Sequence, residues 1–169
     1  MRYLLGLIIS ICFVTISYSQ ISVSINLGSQ PVWGPVGYDY VEYYYLPEVD
    51  AYYDVARQRF YYYEKGKLLY RSTLPARYSH YNLYNTYKVV INEHQPWRKY
   101  KDHKIKYASY KGHYDQRAIR DSRDSKYYVI KKHPEHKNWI QKQSKDLNKK
   151  SSNNVKQVKQ SKGKNKKSK

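Results

Sequence analysis

The chain has 169 residues and a formal net charge of +19, from 32 lysines and arginines against 13 aspartates and glutamates. This excess of positive charge favours anionic partners such as polysaccharide, lipopolysaccharide, acidic lipid headgroups or nucleic acid. The one cysteine, Cys12, excludes an intrachain disulfide and a structural cysteine metal site. The chain also has 23 tyrosines. They must supply much of the buried area, because the ring is large and its hydroxyl tolerates a half-hydrated position.

The first 19 residues have the layout of a secretory signal peptide. Arg2 gives a positively charged start, an apolar run follows, and Ser17 and Ser19 place small residues before Gln20. The apolar run is shorter than the about 20 residues that a membrane-spanning helix needs. We therefore predict cleavage after Ser19 and a protein that is exported to the periplasm, the outer membrane or the extracellular space. Cleavage would remove Cys12 and leave a net charge of +18, from 31 basic and 13 acidic residues.

The mature chain begins with patterns that are typical of β-structure. Alternating apolar and polar side chains predict a half-buried strand over residues 21–27. The Gly- and Pro-rich residues 32–37 are typical of a loop, and this loop carries Trp33. Further extended segments are predicted at residues 38–47, 49–55, 59–64, 67–71 and 87–91. Lys65-Gly66 suits a hairpin turn, because glycine accepts the positive φ that such turns require, so residues 49–71 predict an antiparallel meander.

Three Tyr-rich segments follow one another as YYYLPEVDAYYD, RFYYYEKGKLLYRSTLP and YNLYNTYKVVI. In this order they resemble a group of uncharacterised small Tyr-rich exported proteins of Gram-negative bacteria. The resemblance covers about residues 31–92, and Leu68 or Leu69 stands where the pattern usually has Trp. The residues that fit the pattern are Pro47, Glu48, Val49, Asp50, Tyr52, Tyr53, Asp54, Gly66, Leu74 and Pro75. The resemblance implies an envelope protein with no assigned activity.

The composition predicts four regions of the chain. These are a signal peptide (1–19), a Tyr-rich β domain (20–92), a basic, aromatic and weakly ordered extension (93–140) and a Lys-rich disordered tail (141–169). The tail has eleven lysines, one acidic residue and no aromatic residue, so it cannot bury enough apolar surface to offset chain entropy. The predicted fold class is therefore mainly β, a small antiparallel β-meander domain with a basic, low-complexity C-terminal extension.

The spacing of the carboxylates in the predicted meander does not indicate a catalytic pair. Asp50 and Asp54 share one face of a predicted strand, but they stand about 13 Å apart at about 3.3 Å per residue. Glycosidase carboxylates are at most about 9.5 Å apart. We expect these side chains to be solvated at strand edges, where they balance Arg57 and Arg59.

Other catalytic and metal-binding patterns are also missing from the sequence. His133 and His136 are three residues apart but lack the HExxH frame of a zinc site. There is no GxSxG motif, phosphate loop or dinucleotide fingerprint. We therefore predict that the protein is not an enzyme and has no catalytic residue, cofactor or metal site. A hydrolase whose site is assembled only by the fold remains a lesser alternative.

Aromatic and basic side chains alternate between residues 97 and 111. Such surfaces stack on bases and neutralise phosphates in proteins that bind single strands, and they equally suit sugar rings with phosphate or carboxylate groups. The candidate anionic-ligand surface consists of Trp97, Arg98, Lys99, Tyr100, Lys101, Lys104, Lys106, Tyr107, Tyr110 and Lys111. The sequence predicts an exported, non-enzymatic envelope or surface protein of structural or binding type that associates with anionic polysaccharide, lipopolysaccharide or a membrane surface. The alternative is an exported nucleic-acid-binding protein of an extracellular matrix.

Overall fold

The computed structural model describes the backbone of residues 26–164 and the side chains of residues 26–151. Its centre is a five-stranded antiparallel sheet with the strand order β4-β3-β2-β1-β5. The strands are β1 (Tyr43–Leu46), β2 (Ala51–Asp54), β3 (Arg59–Glu64), β4 (Lys67–Arg71) and β5 (Val89–Ile91). The predicted antiparallel sheet is thus confirmed.

The N-terminal predictions fall largely outside the described residues. The signal peptide and residues 21–25 of the predicted first strand lie there. The last two residues of that strand, Asn26 and Leu27, belong to a helical segment at residues 26–29, so this end of the prediction is wrong. Asn26 also bonds the backbone of Val41 through both side-chain atoms, at 2.7 and 2.8 Å, which ties the segment to the entrance of β1.

The meander is confirmed, and its turns explain the strand bounds. Lys65 and Gly66 join β3 to β4 with φ of 49° and 75°, the left-handed pair that a tight hairpin uses. At the β2–β3 connection, the buried Asp54 accepts the backbone N–H of Arg57 at 2.8 Å and binds its guanidinium at 3.0 Å. Asp54 is therefore a structural residue inside the fold and not a solvated carboxylate at a strand edge.

Strands β1 and β2 are buried on both faces of the sheet, and tyrosine supplies much of each face. The first face carries Tyr44, Tyr53, Phe60 and Tyr62, together with aliphatic residues of β1 and β2. On the second face, register pairs Tyr45 with Tyr52, Tyr52 with Tyr61 and Tyr61 with Tyr70. This row of tyrosines crosses four strands. Burial of both faces explains why the strands lack the polar alternation of a half-exposed sheet.

Residues 93–133 fold together with the sheet, in contrast to the predicted weakly ordered extension. They contain helix α1 (Tyr100–Lys106) and several 3-10 turns, and residues up to His133 form one unit. Trp97, Tyr100 and Tyr107 pack on the second face of the sheet. The segment has few aliphatic residues, but aromatic rings supply its buried surface, and this is why it is ordered.

A second unit begins at Pro134 and contains helix α2 (His136–Lys164). Its 29 residues exceed the five strands combined, so the mainly β class holds only in part, although the antiparallel sheet is confirmed. The predicted disordered tail covers residues 141–169. The structure shows helix over residues 141–164, and residues 165–169 lie outside the described residues. Lysine and glutamine favour helix, and no proline or glycine interrupts the run before Gly163. No helix in the described part of the chain is long and apolar enough to cross a membrane.

Candidate functional site

The predicted basic surface lies on one side of the sheet, where its rings and its cations have separate roles. Trp97 stacks on Tyr61 with ring centroids 4.3 Å apart and an interplanar angle of 4°. Tyr100 packs on Tyr63 at 4.7 Å. These rings stabilise the fold, and their half-buried faces are not free platforms for a ligand.

The two other predicted tyrosines are also engaged within the protein. Tyr107 lies 5.7 Å from Tyr45 of the second face. Tyr110 stacks on Tyr87 with centroids 4.4 Å apart and an angle of 8°. The stacking surface expected from the sequence is therefore used inside the molecule.

The cations of the same segment point outward. Three of them are paired within the described residues: Lys99 with Glu93 at 2.6 Å, and Lys104 and Lys111 with Asp50 at 2.8 and 3.6 Å. Arg98, Lys101 and Lys106 are exposed, and none of them forms an ion pair in the part of the chain that the structure describes. Lys106 lies 5.2 Å from the centre of the Tyr107 ring. The basic segment, defined as residues 97–111, thus presents positive charge more than aromatic surface.

A separate concave site lies beside the first face of the sheet. It consists of two adjoining cavities of about 440 and 660 Å³ that share Trp33, Tyr53, Gln58 and Lys132. Both volumes fall within the range of about 300–1,000 Å³ that is usual for ligand cavities. We call the two cavities together the aromatic cleft. Its other ring-bearing walls are Phe60, Tyr78, Tyr81 and Tyr84.

Trp33 is held at the centre of the cleft by the loop that carries it. The loop pairs with residues 117–120: Ile119 donates to the carbonyl of Gly34 at 2.8 Å, and Arg120 donates to that of Val32 at 2.8 Å. The Trp33 ring meets Tyr53 edge-on, with centroids 4.8 Å apart. A side chain at Gly34 would come within 2.7 Å of the Tyr44 hydroxyl, so glycine allows the loop to lie against the sheet.

The opposite wall comes from the end of the first unit. A 3-10 helix at Ser125–Val129 leads into Ile130, which packs with Leu27, Val32 and Ile119. Lys131 and Lys132 follow this buried anchor and line the cleft. Both are exposed, and no ion pair involves either within the described residues.

The lining of the cleft is polar as well as aromatic, and none of its described residues is a carboxylate. Gln58, whose φ is 53°, places an amide at the junction of the two cavities. The hydroxyl-bearing residues Ser72, Thr73 and Ser79 line the larger cavity. The cleft therefore combines rings, neutral hydrogen-bonding groups and positive charge.

No sequence pattern predicts the aromatic cleft, because the cleft is assembled from segments that are distant in the chain. Trp33 lies in a loop, Gln58 lies in the turn between β2 and β3, and Lys132 follows a 3-10 helix. Many residues separate the three in sequence. The one local signal was the Gly- and Pro-rich loop around Trp33, since a large aromatic residue in such a loop needs a packing or binding partner.

Among the described residues, no group of three or more His, Cys, Asp or Glu side chains is arranged to hold a metal ion. No protein-family model, curated protein or solved structure matches the chain.

Proposed function

We propose that this chain is an exported, non-enzymatic envelope or surface protein that associates with anionic polysaccharide or lipopolysaccharide through its basic segment. The observation that carries this proposal is the set of three exposed cations, Arg98, Lys101 and Lys106, that lack a carboxylate partner within the described residues. They extend from a segment whose rings are fixed on the sheet. Their spacing is therefore set by a folded base and not by a flexible chain.

The mode of association follows from the kind of group presented. Lysine and arginine side chains neutralise anionic groups without reading a base or sugar code. Many such contacts suit a surface of dense negative charge, and the eleven lysines of residues 141–169 add to them. The signal-peptide pattern of residues 1–19 supports a location in the cell envelope.

Salt dependence and a matched charge control test this proposal. Binding of the mature chain to lipopolysaccharide and to long-chain polyphosphate is measured between 0.05 and 0.5 M NaCl. Changing Arg98, Lys101 and Lys106 to Gln should lower the slope of log affinity against log salt by about 2 for polyphosphate, at about 0.7 per neutralised phosphate. The control changes Lys65, Lys67 and Arg71 to Gln, which removes the same charge from the β3–β4 hairpin.

The control should leave most of the slope intact. Equal effects of the two triple variants would contradict a role for the basic segment and leave only overall charge. Binding that does not change with salt would contradict the proposal altogether. If single-stranded DNA binds more tightly than lipopolysaccharide and responds to the same variants, the nucleic-acid alternative replaces it.

A further inference from the structure

We infer that the aromatic cleft is a binding site for one or two sugar rings that carry a carboxylate or phosphate group. The inference rests on the proposed function for the class of ligand, an anionic polysaccharide. It adds a second site that recognises individual sugar units.

The charge of the cleft selects an anionic ligand. Lys132 lines both cavities and Lys131 lines one of them, while no aspartate or glutamate of the described part of the chain lines either. A cation at the edge of a partly enclosed site is less screened than one on an open surface. An anionic group at this wall would meet uncompensated positive charge.

The remaining lining suits a sugar better than a purely apolar group. The amide of Gln58 and the hydroxyls of Ser72, Thr73 and Ser79 can donate and accept hydrogen bonds. Adjacent hydroxyls of a sugar offer the same two roles. An apolar ligand would leave these groups without partners on binding, which is costly.

The rings supply the apolar part of the contact. Trp33 is half-buried and stands where the two cavities meet, with Tyr53 beside it. The C–H face of a sugar ring can lie against such an aromatic surface, while its hydroxyls reach the polar walls. The combined volume accommodates more than one ring, so a segment of polymer could thread through the shared centre.

The position of Trp33 is set before any ligand binds. Its loop is fixed by the backbone pairing with residues 117–120, and Tyr53 lies in β2 on the rigid sheet. A site that is already formed loses little ordering entropy when it binds. A small oligosaccharide can therefore bind without rearranging the fold.

The test uses the mature full chain and three soluble probes. They are a trimer of galacturonic acid, the same trimer as its uncharged methyl ester, and a dinucleotide. Affinities come from calorimetry. Lys132→Gln should weaken the charged trimer by about fivefold to tenfold and leave the methyl ester unchanged. Lys67→Gln, which changes an exposed lysine of the β3–β4 hairpin, is the matched control and should change neither.

Gln58→Ala provides a second variant, because it keeps the charge of the cleft and should weaken both trimers. Failure of both trimers to bind at millimolar concentration would overturn the inference. Equal effects of Lys132→Gln and Lys67→Gln would do the same, since they would mean diffuse attraction. Tighter binding of the dinucleotide with the same dependence on Lys132 would replace the sugar by a nucleotide. None of these outcomes alters the polyphosphate result, so failure of the cleft and failure of the basic segment are distinguishable.

Discussion

The Tyr52 hydroxyl and the Nδ1 atom of His103 lie 2.9 Å apart, and both side chains are buried. Tyr52 belongs to β2 and His103 to helix α1, so this contact joins the second face of the sheet to the segment that covers it. Burial lowers the pKa of His103, with Lys99 and Lys106 adding to the effect against Glu93 and Asp102. Burial therefore favours the neutral imidazole in the folded protein.

The first prediction is a loss of stability in mild acid. The unfolded state takes up a proton at His103 near its ordinary pKa of about 6.5, whereas the folded state resists it. The free energy of unfolding should then fall as the pH drops from 7 to 5, as followed by urea denaturation. In His103→Gln this dependence should be smaller, and an unchanged pH profile would contradict the assignment. Tyr52→Phe should cost about 1 kcal/mol and keep a pH dependence.

The second prediction concerns Lys88, which is buried and whose ammonium has no hydrogen-bond partner among the described residues. Burial lowers the pKa of Lys88 to about 8. Between about pH 8 and pH 10 the unfolded state binds more protons, so the free energy of unfolding should rise by about 2 kcal/mol. Above about pH 10 it should fall, because burial raises the pKa of Tyr44, Tyr45, Tyr52 and Tyr53 in the folded state.

Lys88→Met is the variant that isolates this effect. It should be more stable than the parent at pH 7 and show no rise between pH 8 and pH 10 in denaturant titrations. A variant that is less stable at pH 7 would mean that the ammonium is stabilised in the fold.

The third prediction is that Gly66→Val destabilises the sheet by about 1–2 kcal/mol. Nothing lies within 4 Å of a side chain built at Gly66, so the cost comes from the backbone, whose φ is 75°. Gly66→Asn is the control and should cost less, because asparagine tolerates the left-handed region. Thermal melts decide, and equal midpoints for the Val variant and the parent would contradict the role of the turn.

The fourth prediction separates stability from binding in the basic segment. Trp97→Ala should lower the free energy of unfolding by about 2–3 kcal/mol, since it removes a half-buried ring that stacks on Tyr61. Arg98→Ala, next to it and exposed, should change stability by less than about 0.5 kcal/mol. Urea denaturation measures both. If Trp97→Ala leaves stability unchanged, the ring is available to ligands as the sequence alone suggested.

The sequence predicts the hairpin region well because local signals agree there. The bounds of β3 and β4 follow from Lys65-Gly66 and the flanking aromatic residues, and the structure confirms them. The segment after residue 93 was harder, because ring-to-ring packing leaves no periodic pattern in the chain. Helix α2 differs from its prediction for another reason. The lack of a buried face predicts disorder, whereas the helical preference of lysine and glutamine favours the helix that the structure shows.

Part of the candidate site could also be predicted from the sequence, and part could not. The cations of the basic segment could be read directly, since exposure is the default for lysine and arginine. The sequence could not show that Trp97, Tyr100 and Tyr107 pack inside the fold. A ring that stacks on another ring of the protein and a ring that stacks on a ligand have the same sequence pattern. The aromatic cleft depends on contacts between distant segments, which no local pattern reveals.

The runs of adjacent tyrosines in β1 and β3 have a consequence for how the sheet finds its pairing. A shift of one residue normally exchanges a buried set of side chains for a solvated one, and this penalty enforces the alignment of strands. Here Tyr43, Tyr44 and Tyr45 follow one another, as do Tyr61, Tyr62 and Tyr63, so a slipped strand would still bury tyrosine on either side. Correct alignment must therefore come from the connections, through Asp54 at one turn and Gly66 at the next. When both turns are lost together, compact and misaligned chains should compete with the native pairing.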